Sequence, residues 1–130
     1  MIKLSVIVAV GIGGAFGAIL RTILCRHLPT FFLTYFPAPI FLVNIFGCFL
    51  MGVLIELMAS YWTPNNLLKE FVTTGFLGGF TTFSAFSLEY ALIVERGLNI
   101  WALIYASVTF IGVITAFFAG LKIVKFILNF

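Results

Sequence analysis

Charge is what this 130-residue chain has least of. Seven Lys or Arg and four acidic residues make 8% of it, against 63% hydrophobic residues. An ordinary soluble domain carries roughly 25% charged residues, so eleven charges cannot solvate a globule of this size. The same poverty of charge excludes intrinsic disorder, since so apolar a chain cannot stay solvated. Cysteine is also scarce. Cys25 and Cys48 show no metal or redox spacing and read as inert packing residues. No phosphate-cradling loop, HExxH pair or nucleophile elbow occurs. The Gly-rich run from Gly11 to Gly17 lies inside an apolar stretch with no preceding strand, so it is no nucleotide fingerprint. A net charge of +3, spread over both ends, gives no support for nucleic-acid binding.

What is present is a set of long uncharged runs. Residues 4–20, 28–55, 71–88 and 97–121 carry no charge, in runs of 17, 28, 18 and 25 residues. A spanning helix needs about 20 mostly apolar residues. The runs are apolar on both faces, unlike the alternating strands of a membrane barrel. Hydrocarbon demands that each segment pair its own backbone groups, which selects helices. The expectation is therefore an all-α membrane protein with four transmembrane helices, about 4–24, 40–59, 68–94 and 98–127. These form one domain over 1–130 with no separate catalytic or regulatory part. The first run is read as a retained helix rather than a signal core, because it is long and three further spans follow.

The connections carry local signals. Residues 28–39 hold three prolines, which oppose a continuous helix, and the rings of Phe31, Phe32, Tyr35 and Phe36, which suit a membrane interface. Helix two is expected to start near Pro39, helix three to be capped by Asn66 or Thr63, and Gly97 to stop that helix. With four spans, Lys3, Lys69, Lys122 and Lys125 fall on one side, and Arg21, Arg26 and Arg96 on the other. Four against three is almost no positive-inside bias, which favours insertion in both orientations. An antiparallel homodimer is then the natural symmetric assembly. Small residues at Gly13, Gly14, Gly17, Ala18, Gly112, Ala116 and Gly120 allow close helix packing, within one chain or between two.

Buried polarity is costly in a membrane, and most of it lies in the third run. There Gly75, Gly78 and Gly79 precede Thr81, Thr82 and Ser84, so the weakest helix-forming stretch sits at mid-span, near Gly79–Phe80. Two readings stand. In one the helix breaks and its free carbonyls bind an ion at the midplane. In the other it stays continuous, with glycines for close packing. Phe83 and Phe86 are interleaved with Thr82, Ser84 and Ser87, and a phenyl ring has a positive edge that can meet a small anion. Asn44 brings an amide to an apolar helix, either to pair with a neighbouring helix or to donate to an anion. Tyr105 and Thr109 stand four apart on helix four and share a face. Arg21 ends the apolar run of helix one and can anchor it or draw anions into a vestibule. Glu89 can pair with it or with a loop. His27 has no assigned role.

These residues carry a family resemblance. GFLGGFTTFSAFSLE (75–89) closely resembles the signature of the bacterial CrcB/Fluc fluoride channels. GGAFGAILR (13–21) and LVNIFGCFLMG (42–52) look like two further elements of that family, in order and at the expected spacing. The resemblance implies a fluoride-selective channel in the bacterial inner membrane, a dual-topology antiparallel homodimer that exports fluoride passively. It places Asn44, Phe83, Ser84, Phe86, Tyr105 and Thr109 along the fluoride pathway, and Arg21 and Glu89 at a vestibule or pathway end. It further implies a structural Na+ held by the backbone carbonyls of Gly78 and Thr81 from both chains, with no enzymatic activity. The chain departs from the pattern at Ala85, where a Thr is usual, and at Pro39–Ile40, where Gly-Thr is usual. Helix four matches least. Two other readings are a small proton-coupled exporter, which relies on a carboxylate in the first helix that residues 4–20 lack, and a non-transporting scaffold subunit.

Overall fold

The computed structural model describes residues 3–28 and 35–128. Its α-helical segments are α1 (Leu4–His27), α2 (Ala38–Ser60), α3 (Asn66–Glu70), α4 (Gly78–Phe80), α5 (Phe83–Glu95) and α6 (Asn99–Leu128), with a π-helical stretch at Phe71–Leu77 between α3 and α4. Four spans result, because α3, the π stretch, α4 and α5 follow one another as a single 30-residue crossing, Asn66–Glu95. Each expected helix is present, with ends shifted by at most three residues. Pro37 takes the N-cap position of α2, which places Pro39 in the first turn where its missing N–H costs nothing. The cap of α3 is Asn65 rather than Asn66 or Thr63: its Oδ1 accepts from the Leu68 N–H at 2.9 Å. Gly97 has φ +77 and ends α5 through its N–H to the Val94 carbonyl at 2.8 Å, a left-handed position that favours glycine.

Two helix pairs build the bundle. α1 lies along the π stretch and α4, and α2 lies along α6. The first pair depends on glycine. A Cβ at Gly17 would run into the backbone of Phe76 and Phe80, and one at Gly79 would run into the backbone of Gly14. The second pair repeats the device, with Gly52 set on the backbone of Phe117 and Gly120 on that of Phe49. In lipid no hydrophobic gain draws helices together, so such close backbone contact supplies the attraction. The small-residue faces at 13–17 and at 120 are thus used within one chain.

The third span breaks, and it does so at Thr81–Thr82 rather than at Gly79–Phe80. Thr81 (φ −81, ψ 155) and Thr82 (φ −152, ψ 122) are extended. Gly75, Gly78 and Gly79 stay helical, with Gly75 and Gly79 close against the α1 backbone, so the span breaks, against the continuous reading, but only beyond its glycines. Just upstream the helix is widened: the Gly78 N–H reaches back five residues to the Thr73 carbonyl. Only 11–33% of each span's apolar window is buried within the chain. The remaining surface, including Phe16, Ile100, Phe110 and Ile111, is open to lipid or to another chain. The expectation for Phe31 and Phe32 lies outside the described residues. Tyr35 packs on Trp101 with ring centroids 5.8 Å apart.

The glycine contacts generate a paired test. Gly17→Ala should destabilise the purified protein by about 1–3 kcal/mol, as backbone must move to admit the methyl. Gly11→Ala meets nothing within 4 Å and should leave the melting temperature unchanged or slightly higher. Thermal unfolding in detergent, followed by circular dichroism, separates the two.

Candidate functional site

One side chain holds the break. Asn44 on α2 is buried, and its amide grips Thr82 at two points. Nδ2 donates to the Thr82 carbonyl at 3.0 Å, and Oδ1 accepts from the Thr82 N–H at 2.8 Å. The amide thereby imitates a neighbouring β-strand and supplies the partners that an extended residue loses in hydrocarbon. Thr82 also caps the next helix. Its Oγ1 accepts from the Ala85 N–H at 3.1 Å and shares a hydrogen bond with Ser84 Oγ at 3.1 Å. On the other side of the break, the Thr81 N–H and hydroxyl both donate to the Leu77 carbonyl at 2.9 Å.

This arrangement has an electrostatic consequence. In a continuous helix the Thr82 N–H would donate to the Gly78 carbonyl. It is committed to Asn44 instead, so Gly78 loses its helical donor at mid-span. Gly78 and Thr81 both line a cavity of about 690 Å³ that opens beside the break, together with Asn44, Thr82, Phe83, Phe86 and Thr109. Cys48, Ala106, Ser107 and Phe110 complete most of the wall.

Two buried hydroxyls mark this region. Tyr105 is wholly buried and Thr109 nearly so. Tyr105 Oη and Thr109 Oγ1 have no hydrogen-bond partner among the described residues. An unpaired buried hydroxyl costs about 1–3 kcal/mol, and such a group in a native fold calls for a reason. Their i,i+4 spacing on α6 puts them in line, and aromatic rings run beside them. Phe83 and Phe86 lie 5.3 Å apart, Phe86 and Tyr105 5.2 Å, and Tyr105 meets Phe36 at 5.1 Å in an edge-to-face contact. Phe83 is 76% exposed in the single chain, so this wall of the site faces outward.

The remaining expected residues sort clearly. Ser84 is exposed and reaches the site only through Thr82. Arg21 stands toward the C-terminal end of α1 and Glu89 in the C-terminal half of α5, which the four-span topology puts toward one end of the bundle. No ion pair joins them among the described residues, and Arg21 Nε is buried without a partner. Ala85 needs no hydroxyl for its place here, because it contributes a backbone N–H to the cap. Sequence reasoning missed Thr82 as the gripped residue. A Thr placed three residues before Ala85, at the mouth of a helical run, is an N-cap signal that could have found it. It also missed Glu56, buried on α2, which accepts from Ser60 Oγ at 2.8 Å and meets Lys125 Nζ at 3.6 Å. Ser60 was readable at four residues' spacing, but Lys125 comes near only when α6 packs on α2.

The family model for CrcB-like protein, Camphor Resistance (CrcB), matches residues 8–121. The chain belongs to the CrcB family. Among its relatives is the fluoride-specific ion channel FluC of Rhodospirillum centenum, 41% identical over 94% of this chain and 97% of that protein. The FluC of a Chelativorans species is 40% identical over 90% of this chain and 94% of its own length. A third relative, the fluoride-specific ion channel FluC 2 of Nocardia farcinica, is 38% identical over 89% of this chain and 79% of its own length. With its four apolar spans, this CrcB member is a multi-pass protein of the bacterial inner membrane.

The grip on Thr82 predicts the cost of losing it. Asn44→Ala leaves a buried N–H and a buried carbonyl unpaired and should destabilise the fold by about 1–3 kcal/mol for each. Asn44→Asp keeps an acceptor for the Thr82 N–H and should fall between the two. Chemical or thermal unfolding of the purified variants measures both.

Proposed function

We propose that this protein is a fluoride channel that lets fluoride leave the cytoplasm passively, working as an antiparallel, dual-topology homodimer around one structural Na+. The observation that carries the reading is the pair of unpartnered buried hydroxyls, Tyr105 Oη and Thr109 Oγ1, beside the rings of Phe83 and Phe86. Fluoride is small and strongly hydrated, so a path through the membrane must replace water's hydrogen bonds. Hydroxyl donors and positive ring edges do this without the tight hold of a full charge. Arg21, at one end of the bundle, raises the local anion concentration there. No bond is made or broken, and the relatives named as fluoride-specific channels agree with this chemistry.

Three features support the dimer. A helix break at membrane depth is tolerated only where protein or a cavity covers it. The cavity at the break is open in one chain, with Phe83 76% exposed at its rim. The near balance of Lys and Arg between the two sides allows both insertions. A second, inverted copy across the break would close the wall. The residues present fit the implied Na+ for a physical reason. Gly78 has lost its helical donor to Asn44, and two chains together would offer the Gly78 and Thr81 carbonyls of both. Carbonyl oxygens are the donors a hard monovalent cation takes. When bound, the ion would offset the gathered carbonyl dipoles and tie the two breaks together. The exporter reading lacks a carboxylate among the cavity-lining residues, and Glu56 is engaged by Lys125 and Ser60.

Proteoliposomes loaded with fluoride should show electrogenic efflux at a fluoride electrode, with chloride nearly excluded. Equal fluxes of the two anions would sink the proposal. Thr109→Val and Phe86→Ile should each lower fluoride efflux by about tenfold or more, the loss of one to three kcal/mol of stabilisation along the path. Each should still elute as a dimer. Purification and reconstitution with Na+ replaced by a bulky organic cation should weaken the dimer, read by cross-linking or light scattering, and restoring Na+ should recover it.

A further inference from the structure

At the end of the bundle where α1 and α3 both begin, two recesses adjoin. One, of about 690 Å³, is lined by Lys3, Ser5, Asn65, Asn66, Leu67 and Glu70. The other, of about 580 Å³, is walled by apolar side chains of α1 and of the third span, from Leu4 to Ile12 and at Leu67 and Phe71. Ser5 and Leu67 belong to both, so the polar recess leads directly into the apolar one. The eight-residue rise from Leu4 to Ile12 carries the groove about 12 Å along α1 from the membrane surface.

The charges in the polar recess are of opposite sign and do not meet. Among the described residues the recorded ion pair joins Lys125 to Glu56, and Lys3 and Glu70 form none. Glu70 is oriented by the Thr74 hydroxyl, which donates to its Oε2 at 2.6 Å. Asn65 spends its Oδ1 on capping α3, which leaves its Nδ2 group for the recess. A separated cation and carboxylate, flanked by amide donors and opening on an apolar groove, match a zwitterion with a hydrocarbon tail. We infer that these recesses bind a phospholipid with a primary-amine headgroup. Its phosphate lies by Lys3 and the asparagine amides, its ammonium by Glu70, and one acyl chain lies in the groove. A choline headgroup has no N–H to give Glu70. A glycerol headgroup brings no cation to it.

Protein in detergent, incubated with equal amounts of phosphatidylethanolamine, phosphatidylcholine and phosphatidylglycerol of matched chains, then washed, should retain the ethanolamine lipid about tenfold over the others by mass spectrometry, the worth of one charge-assisted hydrogen bond. Glu70→Gln should abolish that preference, and Lys3→Gln should lower retention of ethanolamine and glycerol lipids alike. Both variants should conduct fluoride as the parent does, which shows that they fold. Ala9→Phe, which fills the groove, should lower retention with both charges intact. Equal retention of the three lipids, retention untouched by Lys3→Gln and Glu70→Gln, or displacement of the lipid by millimolar inorganic phosphate would overturn the inference.

Discussion

The two hydrogen bonds from the Asn44 amide to Thr82 are the constraint on which the rest of the site depends. A residue in extended conformation near the middle of a membrane span exposes one N–H and one carbonyl to hydrocarbon, where each is costly. Asn44 satisfies both with one planar group of matching shape. With that cost removed, the helix can stop at Phe80 and restart at Phe83. The restart is itself stabilised by Thr82 capping the α5 N-terminus. The break is therefore a supported feature, held from the neighbouring helix and from within.

Several properties of the site follow from that support. Taking the Thr82 N–H away from Gly78 leaves a carbonyl without its helical donor beside a cavity. Restarting the helix at Phe83 turns Phe83 and Phe86 toward that cavity's wall. α6, packed on α2 through Gly52 and Gly120, carries Thr109 to the same cavity and Tyr105 against Phe86. The glycine contacts thus act at a distance. They set the helix separations that let an amide, two hydroxyls and two rings converge. Burial alone would favour apolar residues at 105 and 109, since their hydroxyls have no partner among the described residues. Their presence there is a cost in stability, which the proposed fluoride path would account for.

The end of the bundle where α2 and α6 stop and α1 and α3 begin obeys different physics. Glu56 sits in apolar surroundings only because Ser60 and Lys125 serve it. This joins the C-terminal ends of α2 and α6, as does the Tyr61 hydroxyl donating to the Leu128 carbonyl at 2.7 Å. Where α1 and α3 begin, by contrast, Lys3 and Glu70 stand apart across a recess. At this one end the α2–α6 pair has matched its charges, while the α1–α3 pair presents its charges to the membrane surface.

The four spans were legible in the residues alone. Charge-free length determines where a chain can cross a bilayer, and hydrocarbon leaves it no choice but helix. The polar concentration in the third span, and the pairing of Tyr105 with Thr109, were legible for the same reason: a polar group at that depth is conspicuous. Local composition also located the weak point of the third helix, but two residues early. Glycine content measures helix propensity, whereas the break falls where a partner exists to satisfy the exposed backbone. That partner, Asn44, is thirty-eight residues away, and no local pattern ties it to Thr82. Tertiary structure alone decided that the glycines pack on α1, that Thr82 is the residue gripped, and that Lys125 neutralises Glu56. Each of these depends on distances between helices, which arise only when side chains of different spans compete for the same space.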